Sequence, residues 1–414
     1  MTQSSNAAQP LARRQAATKP AAGPAASPFS QQEWRAINIA AQGLLSPPAD
    51  VTACVSQLGY VQIDSIQVAA RAHQHVLHSR MPHFAPDALE QALADKQIFE
   101  YWSHAAAFLP MADYRFSLPR KLALKNGGRH WFDKDSDEMR MVRERIGAEG
   151  PLKASDFEHK GHTSGPWWDW KPAKKALEQL FMEGELMVVR RDGFQKVYDL
   201  SERVLPAGVD QRPPTEDEYA RYLIGRYLDA QGHGSLKEMT YLRSGLKASV
   251  TTALDAMVEA RELSCFKQGA ERRYFRPNLQ LPELPDKVWL LNPFDNLLIQ
   301  RARLKQWFDF DYQIEVYLPE PKRRFGYYCL GILWQDTFIG RVDVKADREK
   351  GLLRLKYLTL EPAAVGVDGN FKAFLEPLAE AFGEFCRFNG LKRWKLEGAS
   401  DARLKRHFSR QVWI

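Results

Sequence analysis

The sequence predicts an α+β chain of tandem winged-helix (helix-turn-helix) domains followed by a small antiparallel β-barrel-like C-terminal domain. Three observations carry this. "ALEQLFMEGEL" at 176–186 aligns without gaps to "ALDAMVEAREL" at 253–263, and each copy runs into an apolar strand, a turn and a second strand. Helical segments stand ahead of each copy, and helix, helix, hairpin is the order of a winged helix-turn-helix. From about residue 286 the texture changes to strand-like pieces separated by turn residues such as Gly326, Gly340 and Gly351.

Residues 1–28 are rich in Ala, Pro and Ser, with Arg13, Arg14 and Lys19 and no acid. They cannot bury enough apolar surface to offset ordering entropy, so a disordered tail is expected. They lack the apolar core of a secretory signal. Residues 29–150 read as the first winged-helix-like domain. "SQQEWRAINIAAQGL" is a helix capped by Ser30, "ADVTACVSQLG" is a second ending at Gly59, and "YVQID" is a strand. Further helices are expected at 86–96 and around 111–125.

Residues 151–212 form the second unit. "LKASDFE" is expected to be helical, Pro172 suits the first turn of a long helix with the stripe Leu177, Leu180 and Phe181, and Asp192-Gly193 marks a hairpin. Residues 213–282 form the third, where "DEYARYLIGRYLDA" and "SLKEMTYLRSG" precede a helix with the stripe Leu254, Met257 and Val258. Residues 283–414 are the β-rich domain, closed by a helix at "NFKAFLEPLAEAFGEFCRFNG".

The chain has 414 residues, 44% hydrophobic and 26% charged, so sizeable cores can form. No apolar run approaches the roughly 20 residues of a membrane span. The four cysteines are scattered singly, which argues against a Cys-based zinc site, a redox motif or a disulfide scaffold and suits the cytoplasm, with association to the nucleoid on DNA binding. A net charge of +7 favours a polyanionic partner, nucleic acid above all.

The stretch "GYVQIDSIQVAARAHQHVLHSR" at 59–80 concentrates reactive side chains. On a strand, Gln62 and Asp64 project to one side. A carboxylate can stabilise positive charge or deprotonate a water, and an amide can hold that water. The same pattern fits a half-exposed strand whose polar face meets solvent. His73, His75 and His78, with His83 nearby, lack the third ligand that an HxH pair needs, and neither HExxH nor CxxC occurs, so neither metal nor cofactor is expected. Those histidines would instead contact phosphates or line a pocket beside Arg71 and Arg80. No GxGxxG, GxxxxGK[ST] or GxSxG is present. Four clusters mix cations with aromatics, the combination that follows a phosphate backbone and stacks on bases. They supply Lys171, Lys174 and Lys175; Arg190, Arg191 and Lys196; Arg272 and Arg273; and Lys322, Arg323 and Arg324.

"QIDSIQVAARAHQHVLHSR", "EYWSHAAAFLP", "WWDWKPAKKALEQLFMEGELMVVRRDGFQKVYDLSERVLP" and "LLNPFDNLLIQRARLKQWFDFDYQIEVYLPEPKRRFGYYCLGIL" together resemble the AlkZ-like (YcaQ-type) winged-helix DNA glycosylases. The similarity runs from about residue 30 to the C-terminus. It implies tandem winged helices, a β-rich C-terminal part, and metal-independent excision of N7-alkylguanine with unhooking of interstrand crosslinks. Gln62-Ile63-Asp64 matches the Gln-x-Asp form of the family's catalytic signature, which gives Asp64 and Gln62 the catalytic roles. Arg71, His73 and His104 would shape the site or hold phosphate. The implied partner is double-stranded DNA with alkylated or crosslinked guanine, bound by a monomer. Two other readings are a non-catalytic winged-helix DNA-binding regulator and a metal-dependent hydrolase using the histidines.

Overall fold

The computed structural model describes residues 26–131, 133–157, 172–365, 368–409 and 412–413. Most of the Ala/Pro tail, and Lys171, lie outside the described residues.

Three three-stranded sheets share one topology. The first follows Val51–Leu58, Val61–Gln62, Ala72–His78, Pro86–Ala94 and the hairpin Ile98–Trp102/Ala106–Pro110. The second follows Ser136–Glu149, Leu152–Lys153, a 3-10 turn Ala154–Phe157, Pro172–Glu183 and the hairpin Leu186–Asp192/Gln195–Leu200. The third follows Glu216–Gln231, His233–Gly234, Leu236–Met239, Lys247–Glu259 and the hairpin Ser264–Gln268/Glu271–Phe275. Each time the two-residue strand pairs antiparallel with the second hairpin strand, which is therefore central. The link from long helix to hairpin passes through a left-handed residue in all three, Lys96 (φ 59°), Gly184 (φ 83°) and Arg261 (φ 61°). Gly184 and Arg261 occupy matching positions in the two aligned copies.

Pro172 opens its helix as expected. "LKASDFE" is not the expected helix: Asp156 accepts from the Lys153 N–H at 2.9 Å, a local bond that competes with helix formation, while Lys153 pairs with Val197. The segment 111–125 divides into a 3-10 turn Met111–Ser117 and a helix Leu118–Lys125, because Pro119 supplies no N–H to a continuous helical ladder.

The helix Leu118–Lys125 places Lys121 in the core between the first and second units, 3% exposed. Its Nζ lies 3.9 Å from the Tyr114 ring centroid and 4.7 Å from that of Tyr101, with no hydrogen-bond acceptor among the described residues. A side chain at Gly184 would meet Lys121 Cδ at 2.8 Å, so this contact, rather than the left-handed backbone that Lys96 and Arg261 also adopt, favours glycine here. Burial pushes Lys121 from its ordinary 10.5 down to about 7. Between these values the unfolded chain binds the extra proton, so stability should rise with pH across that window. Lys121→Met is expected to flatten this slope and to raise the thermal unfolding midpoint most at and below pH 7, as read by melts across the range.

The C-terminal sheet has six strands in sequential order from Val288–Leu291 to Val412–Trp413. It departs from an antiparallel barrel in two ways. Leu352–Leu360 and Arg393–Leu396 are parallel, because the chain crosses between them through the helix Leu375–Phe388. The first and last strands occupy opposite edges, so among the described residues the sheet is open. The crossover helix buries Leu378, Phe382 and Phe385 against Leu353, Leu355 and Trp394.

Two packing features cross the expected boundaries. Trp34, on the helix Gln31–Ala41, is 1% exposed and packs on Phe266 and Phe275 of the third unit and on Trp307. Ala69 and Ala72 belong to the core of the C-terminal sheet. The 59–80 segment is thereby held by the C-terminal part as well as by its own unit. Among the described residues no helix is long and apolar enough to cross a membrane.

Candidate active site

A loop in the C-terminal part fixes the 59–80 segment at three points. In "NPFDN", Asn296 Nδ2 donates to the Tyr60 carbonyl at 2.9 Å and Asn292 Nδ2 to the Ala72 carbonyl at 3.2 Å. Asp295 takes two bonds from Arg80, at 2.7 and 3.0 Å. Internal bonds from the Phe294 N–H to Asn292 and from the Leu297 N–H to Asp295 shape the loop. Both side chains of the ion pair have zero exposure, so Arg80 is structural and unavailable to phosphate.

Between these clamps the strand is short. Val61 and Gln62 pair with Phe108 and Ala107, the Ile63 N–H reaches the Ala106 carbonyl, and the chain then leaves the sheet. Gln62 is 8% exposed, and its Oε1 lies 3.1 Å from His104 Nε2. An amide oxygen only accepts, so His104 carries its proton on Nε2. Burial, with the Arg243 charge beside it, pushes His104 down to about 4, which keeps the ring neutral.

Asp64 lines a cavity of about 590 Å³ between the first and second units. Its Oδ1 accepts from the Ile66 N–H at 2.8 Å. Burial raises its pKa and that bond partly opposes the rise, so Asp64 is a stronger base than an ordinary aspartate. Across the cavity stand Arg191, Phe194, Lys196 and Glu178. The residues Tyr317 and Tyr328 approach from the C-terminal part: burial, with the Asp64 charge added, raises both phenols. Tyr317 is 75% exposed, whereas Tyr328 is buried with no partner for its hydroxyl among the described residues.

The candidates therefore separate. Asp64 opens to the cavity, while Gln62 turns to His104, and no hydrogen bond joins the two. Arg71 lies 4.3 Å from the Phe194 ring centroid and Arg191 4.5 Å from it, so both flank the cavity. Arg191 is also fixed by two bonds to Glu100, at 2.6 and 2.7 Å. Lys196 pairs with Glu178 at 3.0 Å, and Lys174 shares the lining. His73 is buried beside Phe108 and held neutral, pushed down to about 3 by burial and by the Arg191 and Arg71 charges.

Several expectations are corrected. His75 is buried against Phe385, out of reach of phosphate, and half-buried His78 stacks on Phe388 at 4.0 Å; both line a small pocket away from Asp64. Arg273 has zero exposure and pairs with Glu238, which removes it from any DNA surface. Arg272 and Arg190 are about half exposed, paired with Asp255 and Asp192 respectively. Lys175 is half-buried near Pro172 and Gln179, away from Asp64. Lys322 and Arg324 are exposed, and Arg323 stacks on Tyr327 at 4.8 Å. Asn292, Asp295, Asn296 and Tyr317 were not singled out from the sequence. The run "NPFDN" does hold three Asx residues around a proline, a turn signal whose long-range role the sequence does not reveal.

Two helix–hairpin units enclose a carboxylate-lined cleft flanked by Arg71 and Arg191, an arrangement able to meet a polyanion and to supply a base. The chain matches the DNA glycosylase AlkZ-like family over residues 55–388 and belongs to it. DNA is accordingly its substrate. The fold is similar to that of Streptomyces sahachiroi DNA glycosylase AlkZ, with a TM-score of 0.60 and 15% sequence identity, covering 89% of this chain and 99% of that one.

Proposed function

We propose that this glycosylase hydrolyses the N-glycosidic bond of N7-alkylguanine in duplex DNA, including guanines tied in interstrand crosslinks, as a monofunctional, metal-independent cytoplasmic monomer. The observation that carries the reading is Asp64: a half-buried carboxylate, made more basic by burial, on a cleft flanked by Arg71, Arg191 and Lys196. The repeated units 29–150, 151–212 and 213–282 are read as winged helices that present this cleft to the duplex, with 283–414 as the supporting β module.

N7 alkylation gives the guanine a positive charge and makes it a good leaving group. As the C1′–N9 bond breaks, its electron pair neutralises the ring, and positive charge grows on the sugar. Asp64 stabilises that charge and takes a proton from the water whose oxygen bonds to C1′. A cleft open between units suits a guanine that cannot swing out alone because it is tied to the other strand.

The test is incubation with DNA containing 7-methylguanine or a nitrogen-mustard crosslink, with and without EDTA, scored for abasic sites and unhooked strands. Cleavage of both substrates, unchanged by EDTA, is expected. An inactive protein that still binds DNA would favour a regulator, and EDTA sensitivity would favour a metal hydrolase.

The His104 bond to Gln62 holds the Gln62 oxygen inward and leaves its amide nitrogen to hold the water or the sugar. His104→Ala is expected to lower the single-turnover rate about tenfold, the worth of one positioning hydrogen bond, with little change in DNA affinity. His104→Asn, which keeps a donor, should recover part of the rate. Equal rates in both variants and the parent would remove His104 from the mechanism.

A further inference from the structure

A second cavity, of about 490 Å³, opens on the His104 side between the first and third units, and Asp64 takes no part in its lining. We propose that it is a separate nucleobase site that holds an unpaired purine ring while Asp64 acts on the lesion.

The lining combines aromatic rings with a cation. Tyr60 and His104 meet edge to face, with ring centroids 5.0 Å apart, and Tyr241 lies tilted 6.2 Å from His104. Arg243 donates to Ser103 Oγ at 3.1 Å, and its charge bears on both His104 and Tyr60. Every base has a π-face, so aromatic walls accept bases with little sequence preference, and a neighbouring guanidinium suits a base carbonyl or a phosphate. A gap left only by imperfect packing would have no need of a fixed cation.

Backbone strain points to the same mouth. Leu242, between Tyr241 and Arg243, is 67% exposed and has φ of 54°, a left-handed conformation unfavourable for leucine. That turn carries Tyr241 and Arg243 on either side of an exposed apolar tip, which suits a side chain that fills the gap left by an unstacked base. Because His104 touches both the cavity and Gln62, an occupied site would reach the catalytic segment through one hydrogen bond.

The inference rests on the DNA-acting reading and not on the role of Asp64, so its test avoids excision. Asp64→Asn protein is titrated into a duplex carrying one bulged 2-aminopurine and into a fully paired duplex with the same fluorophore. The bulged duplex is expected to bind about tenfold more tightly and to show strong quenching, with Tyr241→Ala and Arg243→Gln each losing most of the preference. Far-ultraviolet circular dichroism confirms that each variant is folded, and Arg243→Gln serves if Tyr241→Ala fails that check. Displacement of the signal by free guanine would make the occupant a released base, and its persistence would make it a nucleotide of the strand; both support a base site. Equal binding of the two duplexes by the parent, or undiminished quenching in both folded variants, overturns it. A wrong assignment of Asp64 shows up independently, as full excision by Asp64→Asn.

Discussion

Asp64→Asn is expected to lower single-turnover excision of 7-methylguanine by about 10³-fold while duplex affinity stays within a few-fold of the parent. General-base catalysis contributes roughly 10²–10⁴-fold, and loss of charge stabilisation at the sugar puts the effect in the upper part of that range. Asparagine keeps the size of the side chain and can accept from the Ile66 N–H, so the local turn survives and only charge and basicity are lost. Affinity should not fall, because a carboxylate facing phosphates opposes binding. Asp64→Asn is expected to bind undamaged duplex slightly more tightly, most visibly at low salt.

The pH profile provides a second readout. The raised pKa of Asp64 means that the active, ionised form is lost on acidification earlier than for an ordinary carboxylate. Excision should therefore decline through an acidic limb lying above the ordinary aspartate range, and Asp64→Glu should shift that limb. His104, already neutral above about 4, adds no step near neutrality. Full excision by Asp64→Asn, or a profile flat down to the ordinary aspartate range, removes the residue from the mechanism.

The repeat was legible because its two later copies keep an apolar stripe at the same spacing, so one helix-to-hairpin pattern recurs 77 positions on. The first unit was harder to see. Its leading strand is only Val61–Gln62, too short for an alternation pattern to declare where it stops, and the expectation that Gln62 and Asp64 share a face assumed that it continued. The surroundings of the basic clusters were hidden for a related reason. Charge is visible in sequence, but its partner is not: Arg191 is neutralised by Glu100 and Arg273 by Glu238, both distant in the chain. Histidines concentrated within 73–78 read as one cluster, yet helical geometry turns His75 and His78 to the crossover helix Leu375–Phe388 and His73 to Phe108. The clamp on the 59–80 segment was least legible of all, since it joins Tyr60, Ala72 and Arg80 to residues more than two hundred positions away.

That clamp yields the second large expected effect. Asp295→Ala should destabilise the protein by about 3–5 kcal/mol, because it strands the Arg80 guanidinium in a site of zero exposure. Arg80 uses all five of its N–H donors: one to the Gln42 carbonyl, one to Gln42 Oε1, one to the Val76 carbonyl and two to Asp295. Removing Asp295 leaves two of these without an acceptor and also releases the Leu297 N–H that shapes the loop. The double variant Arg80→Met/Asp295→Leu should recover much of the loss, since replacing a whole buried ion pair by apolar side chains is often nearly neutral, whereas halving it is not. Thermal melts of the two single variants and the double variant measure this coupling. Activity should separate from stability in the same set. The double variant keeps the Asn292 and Asn296 bonds to the segment but loses the tether at Arg80, so its folded population should excise more slowly than the parent at temperatures well below either melt. Rates equal to the parent in a folded double variant would show that Asn292 and Asn296 alone hold Gln62 and Asp64 in register.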